Sequence, residues 1–434
     1  MIPRYTRPEM RRLWSDRARY ERWLDVELAA LDAWESIGRV PIGTADACRA
    51  TARVDAERIA ELDALVQHET AAFVSQVQET CGDEGRFIHY GLTSYDIVDT
   101  AQGIAMREAC DLLDGRLHTL VAVLKRTALQ HRDTLCMGRS HGIHAEPTTF
   151  GAKIATHAFE FARHAERLHF VRQQVAVGTI SGPVGSYASV PPEVEAHVLA
   201  AVGLAPEPAP TQIVNRDRHA EYLSLLALIG ASIERLATEI RHLARTEVRE
   251  AEEPFEAGAQ KGSSSMPHKR NPWRSERLAG FARLLRGYAQ SGLESVTTWH
   301  ERDIAQSSVE RVALVDASCV CDFALDEITQ IIDHLAVYPD RMRRNMEASR
   351  GLYFSQHVLL ALIETGLSRD DAYRIVQSAA MRAWDEGRPY LEVLKEDSEA
   401  SEFLPGPQLD EIFDDRRFLE NIGVIFERLE ALET

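Results

Sequence analysis

Residues 258–277 read GAQKGSSSMPHKRNPWRSER, the stretch in which chemically committed side chains are densest. Gly258 and Gly262 free the backbone to bend, and three consecutive hydroxyls follow at Ser263, Ser264 and Ser265, so the segment reads as a loop. It ends at Asn271 and Pro272, a favoured N-cap residue and a favoured first helical residue. Leu278, Phe281, Leu285 and Tyr288 then recur at helical spacing, which predicts a helix from Pro272. The unpaired N–H groups of that helix start, with Lys269, Arg270, Arg274 and Arg277, make the loop's exit a place to hold an anion. Only five of the 49 basic residues are lysines, and Lys261 and Lys269 both fall here. On composition alone, a solvated charged linker accounts for the same residues.

Outward from this loop the chain is helical in pattern. Tyr20, Trp23, Leu24, Leu28 and Leu31 share one face after Ser15, and Leu225, Leu228, Ile233, Leu236 and Ile240 mark a long helix from Tyr222 to Val248. Strand-like alternation is nearly absent, so the expected fold is all-α. The Gly/Pro/Ser-rich segments 178–192 and 202–210 read as loops between helices. A chain of 434 residues exceeds one ordinary core, so two or three domains are expected.

A formal charge of −18 opposes a nucleic-acid surface, so an anionic ligand must meet locally clustered Arg and Lys. The six cysteines are scattered without CxxC spacing, as expected of reduced thiols in the cytoplasm. The opening MIPRYTRPEMRRLW has charges where a signal peptide needs an apolar run, and the longest apolar run, Tyr222 to Ile233, is too short to span a bilayer. No membrane partner is expected.

Several positions have both a plain and a chemical reading. Arg4 and Tyr5 precede any helix and could be a frayed end. His68 lies in a helical pattern with Leu62, Leu65 and Phe73, where a lone histidine is usually structural. Thr93 or Ser94 is a natural N-cap supported by Asp96, and hydroxyls at a helix start also suit a carboxylate. In GRSHGIHAEPTTFG, residues 138–151, a helix is expected from near Pro147. His141 and His144 there make a poor metal pair, because Gly142 and Pro147 break the helix that such spacing needs. Gln212 reads as a cap. Arg302, Ser307 and Arg311 suit a phosphate, since guanidinium forks match its oxygens and the hydroxyl donates once more, although a salt-bridged helix surface has the same composition.

The run GSSSMPHKRNP closely resembles the signature loop of the fumarase/aspartase superfamily, and its Met-Pro-His-Lys-Arg-Asn-Pro form is most similar to members that split adenylosuccinate. The resemblance covers essentially the whole chain. It implies three helical domains, an N-terminal one (1–93), a central long-helix bundle (94–342) and a C-terminal one (343–434), and a homotetramer in which each active site collects segments from three subunits. The implied reaction needs no cofactor and no metal: β-elimination of fumarate from adenylosuccinate, giving AMP, and from the succinyl-carboxamide ribotide SAICAR, giving AICAR. By the same resemblance Ser263 is the general base, His141 the general acid, and Lys269 holds the carboxylate that gains charge. Arg4 and Tyr5 contact the nucleotide, and His68 touches substrate, followed here by Glu69 where the family normally has Asp. Thr93 and Ser94 hold the succinyl group, with Tyr95 where a smaller residue is more common. Ser140 replaces the usual Thr and keeps its hydroxyl. Gln212, Asn271 and Arg277 complete the binding set, while Arg302, Ser307 and Arg311 take the phosphate and Ser355 and Gln356 line the site. The rival readings are a sister lyase acting on argininosuccinate or another N-succinyl amine, and a non-catalytic protein on the same scaffold.

Overall fold

The computed structural model describes residues 2–256, 262 and 264–433. The principal helices in chain order are α1 (Asp16–Ser36), α2 (Ala56–Val66), α3 (Glu69–Gln78), α4 (Ser94–Gln130), α5 (Phe150–Val175), α6 (Asp217–Leu243), α7 (Trp273–Glu294), α8 (Ala305–Asp333), α9 (Ser355–Glu364), α10 (Arg369–Glu386) and α11 (Tyr390–Glu396). The fold is all-α, as the periodicity predicts. Its strands form only small two-stranded pairings among the described residues, the largest being the antiparallel hairpin β1 (Leu135–Ser140) and β2 (Ile143–Thr149).

The long helices follow directly from apolar spacing. On α4, which runs 37 residues, Ile97, Ala101, Ile104, Leu113, Leu117, Leu120, Leu124 and Ala128 are buried, a stripe along one face. On α7 the expected Leu278, Phe281 and Leu285 are buried and Tyr288 is half-buried. α6 and α7 can approach closely because Gly230 and Gly292 lack side chains. A Cβ on Gly230 would come within 2.6 Å of Leu285, and one on Gly292 within 2.7 Å of Leu223.

The chain divides into two compact units. The first comprises Met1–His118, Ala162–Glu234 and Arg277–Glu327. Its core joins Tyr20, Trp23 and Phe73, with Trp23 edge-on to Phe73 at 5.3 Å, to Ile97, Ile104, Val194 and Leu199. Deep in this unit Arg216 is held by Asp99 and Glu310, all three nearly inaccessible to solvent. The second unit comprises Thr119–Phe161, Arg235–Glu276 and Ile328–Thr434. It contains the hairpin and a C-terminal cluster built from α9, α10 and α11 around Val358, Leu362, Ile375, Ala379, Tyr390 and Leu394.

The structure corrects four local expectations. Residues 138–151 do not lead into a helix at Pro147. They form the hairpin, whose tip is His141 (φ 55°) and Gly142 (φ 79°) between the paired Ser140 and Ile143, the left-handed pair that a tight two-residue turn requires. Pro147 lies within β2 and α5 starts only at Phe150. His68 is not inside a helix: Gln67 (φ 53°) ends α2, and His68 caps α3 by accepting the Ala71 N–H at Nδ1, 3.1 Å. α6 stops at Leu243 rather than Val248, where the chain turns back so that the Glu250 N–H donates to the Leu243 carbonyl at 3.0 Å. Finally, α7 starts where expected but Asn271 is not its cap. The carboxylate of Glu253 accepts the N–H groups of Arg274 (3.3 Å) and Ser275 (2.6 Å), while the Asn271 side chain donates to the Gly262 carbonyl at 2.8 Å.

Candidate active site

In the first unit the turn before α4 is tied down from beneath. Asp96, fully buried, accepts the N–H groups of Thr93 (2.8 Å), Ser181 (2.9 Å) and Gly182 (3.1 Å). Burial nonetheless pushes its pKa up to about 6, more than these hydrogen bonds and the nearby His89 pull it down. The result is a half-buried Thr93–Ser94 pair at a helix N-terminus, backed by a fixed carboxylate. His89, which sequence reasoning did not single out, sits in the left-handed region (φ 68°) with Nδ1 2.6 Å from Glu27. Burial disfavours its charge, but Glu27 outweighs that effect and raises its pKa. The signal that could have exposed it is the Phe87–Gly91 turn, yet its partner lies 62 residues upstream.

The structure gathers Gln212, Arg302, Ser307 and Arg311 around Tyr95. The Arg302 guanidinium carbon lies 3.5 Å from the centre of the Tyr95 ring, and its Nη1 donates to Gln212 Oε1 at 2.9 Å. Tyr95, Ser307 and Arg311 line a cavity of about 250 Å³ together with Trp14, Arg19 and Trp23. Arg311 is ion-paired with Glu69, which also accepts from Arg19 (2.7 Å) and the Tyr20 hydroxyl (2.8 Å). Burial opposes the charge on Glu69, but Arg311 and Arg19 overcome it and hold its carboxyl below the usual range. The neighbouring His68 is exposed, and with Nδ1 committed as an acceptor its ring proton belongs on Nε2, available to donate.

A second group in this unit centres on Tyr5. Its ring packs edge-on to Phe281 (4.9 Å) and Phe323 (5.7 Å), with Arg4 and Arg277 placed against it at 5.9 and 5.7 Å. The N-terminal pair is therefore docked rather than frayed. Arg277 is also ion-paired with Glu327.

The second unit carries the remaining positions. Ser140 and His141 stand exposed at the tip of the hairpin, and just beside the tip Arg139 is clamped to the buried Glu250 through two bonds of 2.9 and 2.6 Å. A cavity of about 1000 Å³ beside it is lined by Ser140, Gly142, His144, Ser349, Ser355 and Gln356. His144 Nδ1 lies 2.6 Å from the Ser349 hydroxyl, and burial lowers its pKa. Lys269, Arg270 and Asn271 line another cavity, about 940 Å³, with Arg241, Arg245 and Arg249. The signature loop closes on itself there, since a Cβ on Gly262 would lie 2.1 Å from the Lys269 carbonyl. Ser263, the expected base, lies outside the described residues. No cluster of three or more metal-ligating side chains occurs among the described residues. No described helix is long and apolar enough to cross a membrane.

The first unit supplies hydroxyls at a helix start and guanidinium forks, which suit an anion, and the second supplies a turn-borne imidazole and Lys269, which suit proton transfer and a carboxylate. Residues 4–287 match the model of a lyase family described as Lyase, and residues 351–429 match that of the adenylosuccinate lyase C-terminus. The chain is 49% identical to adenylosuccinate lyase of Synechocystis sp. over 431 residues, covering 99% of this chain and 100% of that protein. It is 47% identical to the enzyme of that name from Aquifex aeolicus over 432 residues, covering 99% of each. Among solved structures it is similar to a fumarate lyase from Mesorhizobium sp. BNC1 (TM-score 0.91, 29% identity, 100% of both chains). It is also similar to the 3-carboxy-cis,cis-muconate lactonizing enzyme of Pseudomonas putida (TM-score 0.89, 30% identity, 98% of this chain and 97% of that one).

Proposed function

The chain belongs to the adenylosuccinate lyase family of the fumarase/aspartase superfamily, and from that premise we propose how its residues divide the work. It is a carbon–nitrogen lyase that eliminates fumarate from adenylosuccinate and leaves AMP. We infer that the same chemistry acts on SAICAR, giving AICAR, because the bond broken and the fumarate released are the same. The single observation that carries the reading is that near-half identity runs the whole length of the chain.

Elimination needs one proton removed from the carbon beside a carboxylate and one delivered to the departing nitrogen. Ser263 takes the first and His141 gives the second. Serine is a weak base, so its alkoxide must be stabilised by the N–H groups of the signature loop and by Lys269, which also faces the charge building on the carboxylate. The exposed position of His141 at a rigid turn supports this role, because an acid serving a bound substrate must reach outward from its own subunit. Thr93, Ser94, Ser140 and Asn271 take the succinyl carboxylates. Arg302, Ser307 and Arg311 take the phosphate, with His68 and Gln212 beside them, and Arg4, Tyr5 and Arg277 complete the nucleotide contacts.

We propose a homotetramer with active sites shared between subunits, in the cytoplasm. Exposed apolar side chains on the long helices, among them Phe170, Leu228, Leu284 and Val312, support subunit contacts along them. The division at residues 93 and 342 is retained as a proposal, supported by the separate C-terminal core.

The test is fumarate release by the purified protein from adenylosuccinate, SAICAR and argininosuccinate. Release from the two purine substrates alone is expected. Release from argininosuccinate alone would overturn the assignment.

A further inference from the structure

We propose that Tyr95 is a positioning residue for recognition of a phosphate monoester: it holds Arg302, one of the three expected phosphate ligands, in place before the nucleotide arrives. The inference rests on the reading that Arg302, Ser307 and Arg311 take the phosphate. Tyr95 lies in the first turn of α4 and is only 5% exposed. Its ring supports the Arg302 guanidinium at 3.5 Å, and Ser307 lines the same cavity beside it. The ring is itself held from within, because the buried Arg216 lies 5.9 Å from its centre and is locked by Asp99 at 2.6 and 2.8 Å and by Glu310 at 2.8 Å. Gln212 fixes Arg302 through Nη1, while Arg302 Nε is buried with no hydrogen-bond partner among the described residues. With Nη1 committed to Gln212 and its plane laid on the Tyr95 ring, the guanidinium has its orientation set before an oxyanion arrives. Holding it in advance removes the ordering cost from the binding step. With a small side chain at this position, Arg302 would lose its platform.

The experiment is calorimetric titration of the full-length protein with AMP and, separately, with adenosine, which lacks the phosphate. Tyr95→Leu is expected to weaken AMP binding about tenfold, the scale of one lost cation–π contact, and to leave adenosine binding unchanged. Tyr95→Phe keeps the platform, so AMP binding close to wild type is expected, and Tyr95→Met serves in place of Tyr95→Leu if that variant does not fold. Arg302→Ala and Arg311→Ala act as references. If they lose AMP affinity while Tyr95→Leu binds AMP like wild type, the positioning role is overturned and the phosphate reading stands. Equal losses for AMP and adenosine in Tyr95→Leu would mean that the ring is merely structural. Undiminished AMP binding in the arginine variants would overturn the phosphate reading itself.

Discussion

Glu253 accepts the backbone N–H of Ser275 at 2.6 Å, so the helix that leaves the signature loop is capped by a carboxylate from outside it. Glu253 is nearly buried and accepts the Arg274 N–H as well. Removing it leaves two donors without their acceptor at a buried helix start. Glu253→Ala is expected to cost about 1–3 kcal/mol in urea unfolding. Asn271→Ala, which removes no cap from this helix, should cost less stability and act mainly on KM. Equal stability losses in the two variants would show that Asn271 shares the capping role.

Arg216 compensates Asp99 and Glu310 in a site closed to water. An Arg216→Met variant keeps most of the volume but strands two carboxylates, and it should be destabilised by about 3–5 kcal/mol. The matched change Asp99→Asn leaves Glu310 to balance the arginine and should cost less. Chemical unfolding of both variants decides the order.

Asp96 gives the clearest pH signature. Its folded pKa of about 6 lies above the ordinary value of 3.8, so the protonated form is favoured by folding. That contribution is fully present below the unfolded pKa and is lost as pH rises through the folded one. Wild-type stability relative to Asp96→Asn should therefore fall between about pH 4 and pH 7, by up to about 3 kcal/mol. Thermal unfolding of both proteins across this range is the check, and a flat difference would mean that Asp96 is not the titrating group.

Ser263→Ala and His141→Ala should each lower kcat by ~10²–10⁴, the usual scale for a proton-transfer group. If active sites are shared between subunits, mixing the two inactive proteins under conditions that exchange subunits should restore part of the activity. Recovery after mixing, against none in either protein alone, is the expected result.

Glu69 neutralises Arg311 while held by Arg19 and Tyr20. Its folded pKa is depressed, so the stability it contributes is present above the unfolded value and is lost as pH falls through the folded one. Glu69→Gln should accordingly be less stable than wild type at pH 7, with the gap closing in acid. Melting temperatures at pH 7 and below pH 4 test the sign.

The all-α class and the long helices are legible in the chain's own patterns, which also propose the chemical residues. Apolar spacing such as Leu278, Phe281 and Leu285 is a local property, set by the geometry of one helix, and it survives without knowledge of any partner. The signature loop is equally local, because its glycines, hydroxyls and lysine follow one another in the chain. Tertiary structure decided what depends on distant partners. The hairpin that presents His141 needs β1 and β2 to pair, and its mostly exposed tip shows no alternation to read. The carboxylate capping α7, the clamp of Glu250 on Arg139, the pairing of Glu69 with Arg311 and the stacking of Arg302 on Tyr95 each join residues far apart in sequence. Such contacts form only when the core has already brought their elements together, so burial and hydrogen-bond demand choose the partner rather than spacing along the chain.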